Sequence, residues 1–256
     1  MRRLTTLASI LTGALFLAAM PQVHAAKSTV TASLANGEAI FTQGKGNAPA
    51  CSSCHGMDGM GIDSMETPRL ASQVAEFLVK QLEDFATDRR QGQGGGVVMN
   101  IFAKELSADD RRDVAAYLST IGRDRATSAT GSSNLEELKS MGVPVGEPHL
   151  GLRLINYGAP ERDIPACRSC HDFNGRGVEP IYPMLSEQKY VYLVNQLKYW
   201  REGTRNNDPR EQMQKVARNM TDEDIHNAAA YLTGASPYPA GSIRIPDRHV
   251  TFTIVK

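Results

Sequence analysis

The 256-residue chain has few of the features that mark a nucleic-acid-binding, membrane-spanning or disulfide-rich protein. Acidic and basic side chains number 28 each, and this balance argues against the basic face that a nucleic-acid partner requires. Beyond the first 25 residues no apolar run is long enough to cross a bilayer. Cysteine occurs only four times. What remains is a chain long enough for one large or two small globular domains.

The N-terminus has the pattern of an export signal. Arg2 and Arg3 precede the short apolar stretch LASILTGALFLAAM, and small residues lead to a cleavage point near Ala25. A retained N-terminal anchor is the alternative, although the apolar run is short for a membrane span. We therefore predict a signal peptide at residues 1–25 and an exported mature protein.

All four cysteines lie in two related segments, PACSSCHGMDGMG (49–61) and PACRSCHDFNGRG (165–177). Export favours disulfides, but a Cys-x-x-Cys bridge closes a tiny loop and constrains little of the chain. Structural zinc is a second alternative, although the gap between the two pairs is far longer than zinc sites use. Neither explains the histidine that follows both pairs, whereas Cys-x-x-Cys-His is the attachment signature of c-type haem. The sequence predicts two covalently bound haems c, held by Cys51, Cys54, His55, Cys167, Cys170 and His171.

An internal repeat supports this interpretation. The chain aligns with itself at an offset of 114 to 116 residues, which indicates one domain duplicated, with one haem in each copy. The superposed segments are GEAIFTQG with GLRLINYG, PACSSCH with PACRSCH, FLVKQL with YLVNQL, and MNIFAKELSADDRRDVAAYL with MQKVARNMTDEDIHNAAAYL.

Both copies are predicted to be all-α. Ser72 and Ser186 each open an amphipathic run, and Ser107 and Thr221 begin capping boxes for a final helix. We place domain 1 at 26–125, a small polar linker at 126–143, domain 2 at 144–235 and an extension of unknown role at 236–256. No alternating strand pattern precedes residue 240. Residues 249–256, HVTFTIVK, do alternate, and this strand could fold back on the protein or dock on a partner.

The paired PAC..CH segments, their Gly-x-Gly tails and the AAYL blocks resemble the dihaem class I cytochromes c, closest to the cytochrome c4 family. The resemblance covers about residues 34–234. It implies two cytochrome c domains packed about a pseudo-twofold axis. It also implies electron transfer in the bacterial periplasm towards terminal oxidases.

A closed electron carrier needs a second axial ligand on each iron, and thioether sulfur raises the potential relative to a second imidazole. Met99 and Met213 are methionine in both copies, 44 and 42 residues after their histidines, so we predict them as the sixth ligands. Met184 and Met220 superpose on other residue types, which suggests ordinary core or loop residues.

The resemblance also implies a supporting role for two prolines. Pro68 and Pro183 follow the histidines by 13 and 12 residues and are predicted to offer backbone carbonyls to the imidazoles, the alternative being simple turn prolines. Arg90 and Arg205 superpose; they could pair with haem propionates, but we expect ordinary exposed arginines.

These observations predict an electron carrier rather than an enzyme. Its redox partners would be a quinol-oxidising complex, a terminal oxidase or a dehydrogenase, and a peripheral membrane association is compatible with the sequence. The alternative is the electron-accepting cytochrome subunit of a periplasmic dehydrogenase. A third class, a dihaem peroxidase or thiosulfate dehydrogenase, needs an open or unusually ligated iron, and no cysteine remains to supply the latter.

Overall fold

The computed structural model describes residues 28–122, 133–237 and 251–254. The predicted signal peptide, residues 1–25, lies outside these ranges, so its cleavage stays a prediction.

Helices make up almost all of the regular structure, and they recur in the same order in the two halves of the chain. In the first half they are α1 (Leu34–Gln43), α2 (Ser52–His55), α3 (Ala75–Ala86), α4 (Val98–Lys104) and α5 (Ala108–Thr120). A short helix, α6 (Leu135–Ser140), precedes the second set. That set is α7 (Pro148–Tyr157), α8 (Arg168–His171), α9 (Tyr190–Glu202), α10 (Gln212–Arg218) and α11 (Asp222–Gly234).

The two predicted capping boxes are confirmed at the starts of α5 and α11. Ser107 Oγ accepts the N–H of Asp110 at 3.1 Å, and the Asp110 carboxylate accepts the Ser107 N–H at 3.0 Å. Thr221 and Asp224 repeat the exchange at 3.1 and 2.8 Å. Each box satisfies backbone donors that the first turn of a helix leaves without intrahelical partners.

Helices α3 and α9 begin later than the predicted starts at Ser72 and Ser186, and that part of the prediction is wrong. The first helical residues lie three and four positions further on. The serine hydroxyls donate to distant backbone carbonyls instead, Ser72 to Ile121 at 2.8 Å and Ser186 to Gly175 at 3.4 Å. A tertiary contact therefore replaces the local cap.

Each half is built on a crossing of its first and last long helices, α1 with α5 and α7 with α11. At each crossing a glycine lies against the backbone of the partner helix. A Cβ on Gly37 would lie 2.1 Å from the Asp113 carbonyl oxygen, and one on Gly151 would lie 2.0 Å from that of Asn227. Apolar side chains below the crossings form two cores, centred on Ile40, Phe41, Leu78, Val114 and Leu118, and on Leu154, Ile155, Tyr190, Leu193, Ile225 and Leu232.

The predicted linker, 126–143, lies partly within the described residues. Its described portion contains α6, whose Leu138 is buried in the core of the second half. The Ser133 N–H donates to Thr233 Oγ1 at 3.1 Å, which fixes the chain just before α6. The domain boundaries themselves stay a prediction.

The C-terminal extension contributes a strand that folds back on the protein. β2 (Thr251–Ile254) pairs antiparallel with β1 (Ser28–Thr31), with Ser28 opposite Ile254 and Thr31 opposite Thr251. The alternating pattern at residues 249–256 predicts β2. The expectation of no strands before residue 240 is wrong, because β1 lies at Ser28–Thr31. The extension could have folded back on the protein or docked on a partner, and in the structure it folds back.

Candidate haem-binding sites

The two Cys-x-x-Cys-His motifs each form a single helical turn. The carbonyl of Cys51 accepts the N–H groups of Cys54 at 3.2 Å and His55 at 3.0 Å. In the second turn the carbonyl of Cys167 accepts the equivalent bonds at 3.3 and 3.0 Å. Residues three and four apart share one face of a helix. Each turn therefore presents two sulfur atoms and an imidazole from one short piece of backbone.

All four cysteines are free thiols in the structure. Burial raises the pKa of Cys51 and of Cys167 to about 11, so these two sulfurs are protonated near neutral pH. A free thiol is the form that can add across a vinyl group to make a thioether. The thiol chemistry fits covalent attachment of a porphyrin.

Each histidine is buried and held by the predicted proline carbonyl, which confirms that hydrogen bond in both halves. His55 Nδ1 lies 3.0 Å from the Pro68 oxygen, and His171 Nδ1 lies 2.9 Å from the Pro183 oxygen. A carbonyl oxygen only accepts hydrogen bonds, so Nδ1 carries the proton and Nε2 keeps its lone pair. Burial lowers the pKa of both imidazoles, which favours the neutral form that binds metals.

In each half the Gly-x-Gly tail brings the loop after the histidine against the proline that binds that histidine. Gly61 has φ +74 and Gly177 has φ +87, a region that favours glycine. A Cβ at these positions would lie 2.6 Å from the Pro68 carbonyl carbon and 3.0 Å from that of Pro183. The glycine N–H groups also donate to the carbonyls of the two histidines, at 2.8 and 2.9 Å. The tails thus pack the proline peptides against the haem-binding turns.

Met99 and Met213 occupy equivalent places, each the second residue of its helix, α4 or α10, and each half-buried. Met184 and Met220 lie in the core at 5% exposure, as predicted, and Met57 is 75% exposed. The assignment of Met99 and Met213 as iron ligands stays a prediction.

The two halves hold the start of the methionine-bearing helix by different means. Asn100, next to Met99, donates to the carbonyls of Phe85 and Arg90 at 3.0 and 2.8 Å. In the second half Asp208 accepts the N–H of Met213 at 2.6 Å. Both arrangements fix the helix against the preceding loop, and so both limit movement of the methionine.

Arg90 and Arg205 are buried, with 8% and 7% exposure, and the expectation that they are ordinary exposed arginines is wrong. Each guanidinium lies over an aromatic ring of its own half, Arg90 over Phe85 at 4.5 Å and Arg205 over Trp200 at 4.2 Å. Cation–π contact and burial of the long aliphatic stem stabilise these positions.

The same two arginines meet at the interface between the halves. Gln81 Oε1 accepts from Arg90 at 2.8 Å and from Arg205 at 3.1 Å, and Gln196 Oε1 accepts from them at 2.9 and 2.6 Å. Burial and the neighbouring Arg90 lower the pKa of Arg205 to about 9. Burial alone would raise the pKa of Tyr192, but the two arginines outweigh that effect and lower it.

This cluster supplies a test of whether the residues fit a haem. Two buried guanidinium groups share neutral glutamine oxygens, with the Asp208 carboxylate as a nearby anion for Arg205, and buried positive charges are stabilised by anions that compensate them. Haem carries two propionate carboxylates, which are anions of that kind. Together with the thiols and the proton-free Nε2 atoms, the arginine cluster is chemically suited to porphyrin carboxylates.

Reasoning from the sequence missed the interfacial glutamines: Gln73, Gln81, Gln188 and Gln196. A signal was present, since Gln73 superposes on Gln188 and Gln81 on Gln196 at an offset of 115 residues. A glutamine kept in both copies of a repeat indicates a shared structural task, and of these four Gln73, Gln81 and Gln188 are buried while Gln196 is partly buried.

None of the helices in residues 28–122 and 133–237 is long and apolar enough to span a membrane.

Comparison with known proteins gives consistent results. The sequence profile of the family described as cytochrome c matches residues 34–122 and 165–236. A thiosulfate dehydrogenase electron acceptor of Stutzerimonas stutzeri is 38% identical over 215 residues, covering 83% of this chain and 92% of the relative. A cytochrome c4 of Azotobacter vinelandii is 31% identical over 208 residues, covering 78% and 91%. A solved structure of thiosulfate dehydrogenase from Marichromatium purpuratum matches 80% of this chain, with 28% identity and a TM-score of 0.68. This chain spans 41% of that longer one.

Proposed function

The chain belongs to the cytochrome c family, as a two-haem member of the cytochrome c4 type, and we propose that it carries electrons in the periplasm from a thiosulfate-oxidising dehydrogenase towards a terminal oxidase. The predicted all-α pair of cytochrome c domains is confirmed, and so are the two covalently bound haems c. A dihaem electron carrier acting on redox protein partners follows from that membership.

The residues that carry this function are those of the repeated sites. Each haem, when bound, supplies an iron that takes up and releases one electron. We assign the thioether links to Cys51 and Cys54 in the first half and to Cys167 and Cys170 in the second. The proposed axial pairs are His55 with Met99 and His171 with Met213.

The surrounding side chains would keep these sites rigid and closed. The proline carbonyls accept hydrogen bonds from the imidazole rings at 3.0 and 2.9 Å and thereby fix the orientation of the rings. A methionine at the sixth position would leave no vacant coordination site for peroxide or another small substrate. We therefore propose a carrier without substrate chemistry of its own.

The observation that carries the proposal is the completeness of the site in both halves: thiols, anchored imidazole, glycine tail and methionine-bearing helix. An enzyme that needs one open iron has no reason to keep both sites in this form. The donor is proposed from similarity to two thiosulfate dehydrogenase electron acceptors. Each alignment covers most of this chain and most of the relative.

The axial assignment is tested by replacing each methionine with alanine. Met99→Ala and Met213→Ala should each abolish about half of the weak red sulfur-to-iron charge-transfer band of the oxidised protein and open one iron to carbon monoxide. Met57→Ala is the matched control, because that side chain is 75% exposed, and it should keep the full band. If Met99→Ala or Met213→Ala keeps the full band and stays closed to carbon monoxide, the assignment is wrong.

The carrier function is tested with thiosulfate and a purified thiosulfate dehydrogenase. The oxidised protein should be reduced rapidly when both are present and should stay oxidised with thiosulfate alone. Turnover of thiosulfate by this protein alone would instead identify an enzyme, and no reduction in the complete mixture would eliminate this donor.

A further inference from the structure

Two buried glutamines cross the interface between the halves in a reciprocal arrangement. Gln73, in the first half, accepts the N–H of Met184 at 2.6 Å and donates to the carbonyl of Met184 at 2.9 Å. Gln188, in the second half, accepts the N–H of Arg69 at 2.6 Å and donates to its carbonyl at 3.0 Å. All four residues are buried, with 4% or 5% exposure.

The peptide groups that these glutamines bind are the ones that hold the histidines. The Met184 N–H belongs to the same peptide group as the Pro183 carbonyl, which accepts the hydrogen bond of His171. The Arg69 N–H likewise shares a peptide group with the Pro68 carbonyl, which accepts from His55. One planar, resonance-coupled amide therefore separates each imidazole from a glutamine of the opposite half.

The orientation of both side-chain amides is determined by their partners. Gln73 Oε1 also accepts the N–H of Val74 at 2.9 Å, and Gln188 Oε1 accepts that of Lys189 at 2.9 Å. Backbone N–H groups only donate, so the atom facing them must be the amide oxygen. The oxygen that polarises the proline peptide is thus identified without ambiguity.

We propose that Gln73 and Gln188 are positioning residues that tune the reduction potential of the haem in the opposite half. An acceptor on the N–H of an amide increases the negative charge on its carbonyl oxygen, and linked hydrogen bonds strengthen one another. A more negative proline oxygen holds the Nδ1–H more strongly and makes the imidazole a better electron donor to a metal. Hydrogen bonding of this kind around a haem ligand is one of the ways a protein sets the potential.

The direction of the effect follows from which oxidation state an electron-rich imidazole favours. A stronger hydrogen bond at Nδ1 stabilises the ferric state and lowers the potential, and a weaker one raises it. The link runs crosswise: Gln73 acts on the haem of His171, and Gln188 acts on the haem of His55. The inference rests on the proposed ligation by these two histidines.

The test uses the two-haem protein and four variants: Gln73→Leu, Gln73→Glu, Gln188→Leu and Gln188→Glu. Leucine removes the acceptor at similar volume, whereas glutamate keeps an acceptor and makes it stronger. The measurements are the potentials of the two haems and the proton resonances of the two histidine Nδ1–H groups in the reduced, diamagnetic protein. The control is Asn195→Ala, which removes another hydrogen bond between the halves, to Glu66 at 3.1 Å, without a change of charge on the substituted residue.

We expect Gln73→Leu to raise the potential of the second haem and to move the His171 Nδ1–H resonance upfield, with little change at His55. Gln73→Glu should move both quantities in the opposite direction. The Gln188 variants should give the mirror result, with the response at His55. Asn195→Ala should move neither resonance.

The proposal is overturned if leucine and glutamate shift the potential in the same direction, since that is the signature of a merely loosened interface. It is also overturned if the response of the Gln73 variants is at His55, or if Asn195→Ala reproduces it. Should Gln73→Leu lose a haem, the His171 Nδ1–H resonance of Gln73→Glu decides alone, because that variant keeps an acceptor on the Met184 N–H, whereas its added charge would lower a nearby potential in any case. Failure of the haem ligation itself would be seen in the unsubstituted protein, as a missing haem or a missing methionine band.

Discussion

Adding one methyl group at Gly37 or Gly151 should destabilise the half of the protein that contains it. Gly37 lies where α1 crosses α5, and Gly151 lies where α7 crosses α11. An alanine Cβ at these positions would lie 2.1 and 2.0 Å from a carbonyl oxygen, whereas real Cβ atoms essentially never come closer than 3.0 Å. The obstructing atoms belong to helix backbone and cannot rotate away, so each crossing must open by about 0.9 Å or more.

The cost can be estimated from two opposing effects. Overpacking of a well-filled interior costs about 1–3 kcal/mol, and the severe overlap here places it at the upper end. A gap of this size also forfeits a quarter to a half of the dispersion energy of the contacts that it separates. Alanine in a helix recovers about 1 kcal/mol relative to glycine. The expected net loss is about 2 kcal/mol or more, which corresponds to roughly 10 °C in Tm for a domain of this size.

The assay is denaturant unfolding of the two-haem protein, followed by far-ultraviolet circular dichroism and by tryptophan fluorescence. Trp200 is the single tryptophan of the chain and lies in α9, so its fluorescence reports on the second half. Gly151→Ala should move the fluorescence transition to lower denaturant. Gly37→Ala should leave the fluorescence transition in place and move only the part of the circular dichroism transition that comes from the first half to lower denaturant.

Gly234 supplies the control, because a Cβ there meets no atom within 4 Å and the residue is helical. Gly234→Ala should be neutral or should stabilise the protein by up to about 1 kcal/mol. If Gly37→Ala and Gly151→Ala are as stable as Gly234→Ala, the helix crossings do not require glycine at positions 37 and 151, and the prediction is wrong.

Two further predictions concern pH and salt. Burial would raise the pKa of Asp110, but hydrogen bonds from Lys45, Ser107 and Asn36 outweigh it and hold the pKa well below its usual range. This stabilisation is therefore present above about pH 4 and is lost as the pH falls through the folded pKa. Asp110→Asn should lower the free energy of unfolding at pH 7 and reduce its loss between pH 5 and pH 3, and an unchanged acid profile would contradict this. Residues 26–135 carry 11 basic against 13 acidic side chains, and residues 136–256 carry 15 of each. Electron transfer with a partner should therefore depend only weakly on ionic strength, and a steep fall in rate between low and moderate salt would show that a local charge cluster steers the encounter.

The number of haems and their attachment residues could be predicted from sequence because they depend on short-range spacing, and the duplication could be predicted because the chain aligns with itself. Two cysteines and a histidine at intervals of three and one share one face when the segment forms a helical turn, as it does in both halves. The capping boxes of α5 and α11 are equally local, and both were predicted correctly. Met99 and Met213 could be selected only because the chain contains a second copy of itself.

The interface between the halves was decided by tertiary structure. Arg90 and Arg205 have the sequence character of exposed residues, and only the packing of one half on the other buries them at 8% and 7% exposure. The starts of α3 and α9 could not be placed either, since the hydroxyls of Ser72 and Ser186 bind carbonyls 49 and 11 residues away. The pairing of β1 with β2 joins the two ends of the described chain, a distance over which no sequence pattern predicts a partner.

Gln73 and Gln188 show most clearly which features can be predicted from sequence and which depend on tertiary structure. The repeat marks them as equivalent residues, but nothing in the sequence says that each one binds the proline peptide of the other half. Hydrogen bonds between backbone groups and side chains more than 100 residues apart depend on how two finished domains dock. The sequence thus determined each haem site by itself, through local spacing. The docking of the two halves determined how the sites contact one another, through buried polar groups that must find partners across the interface.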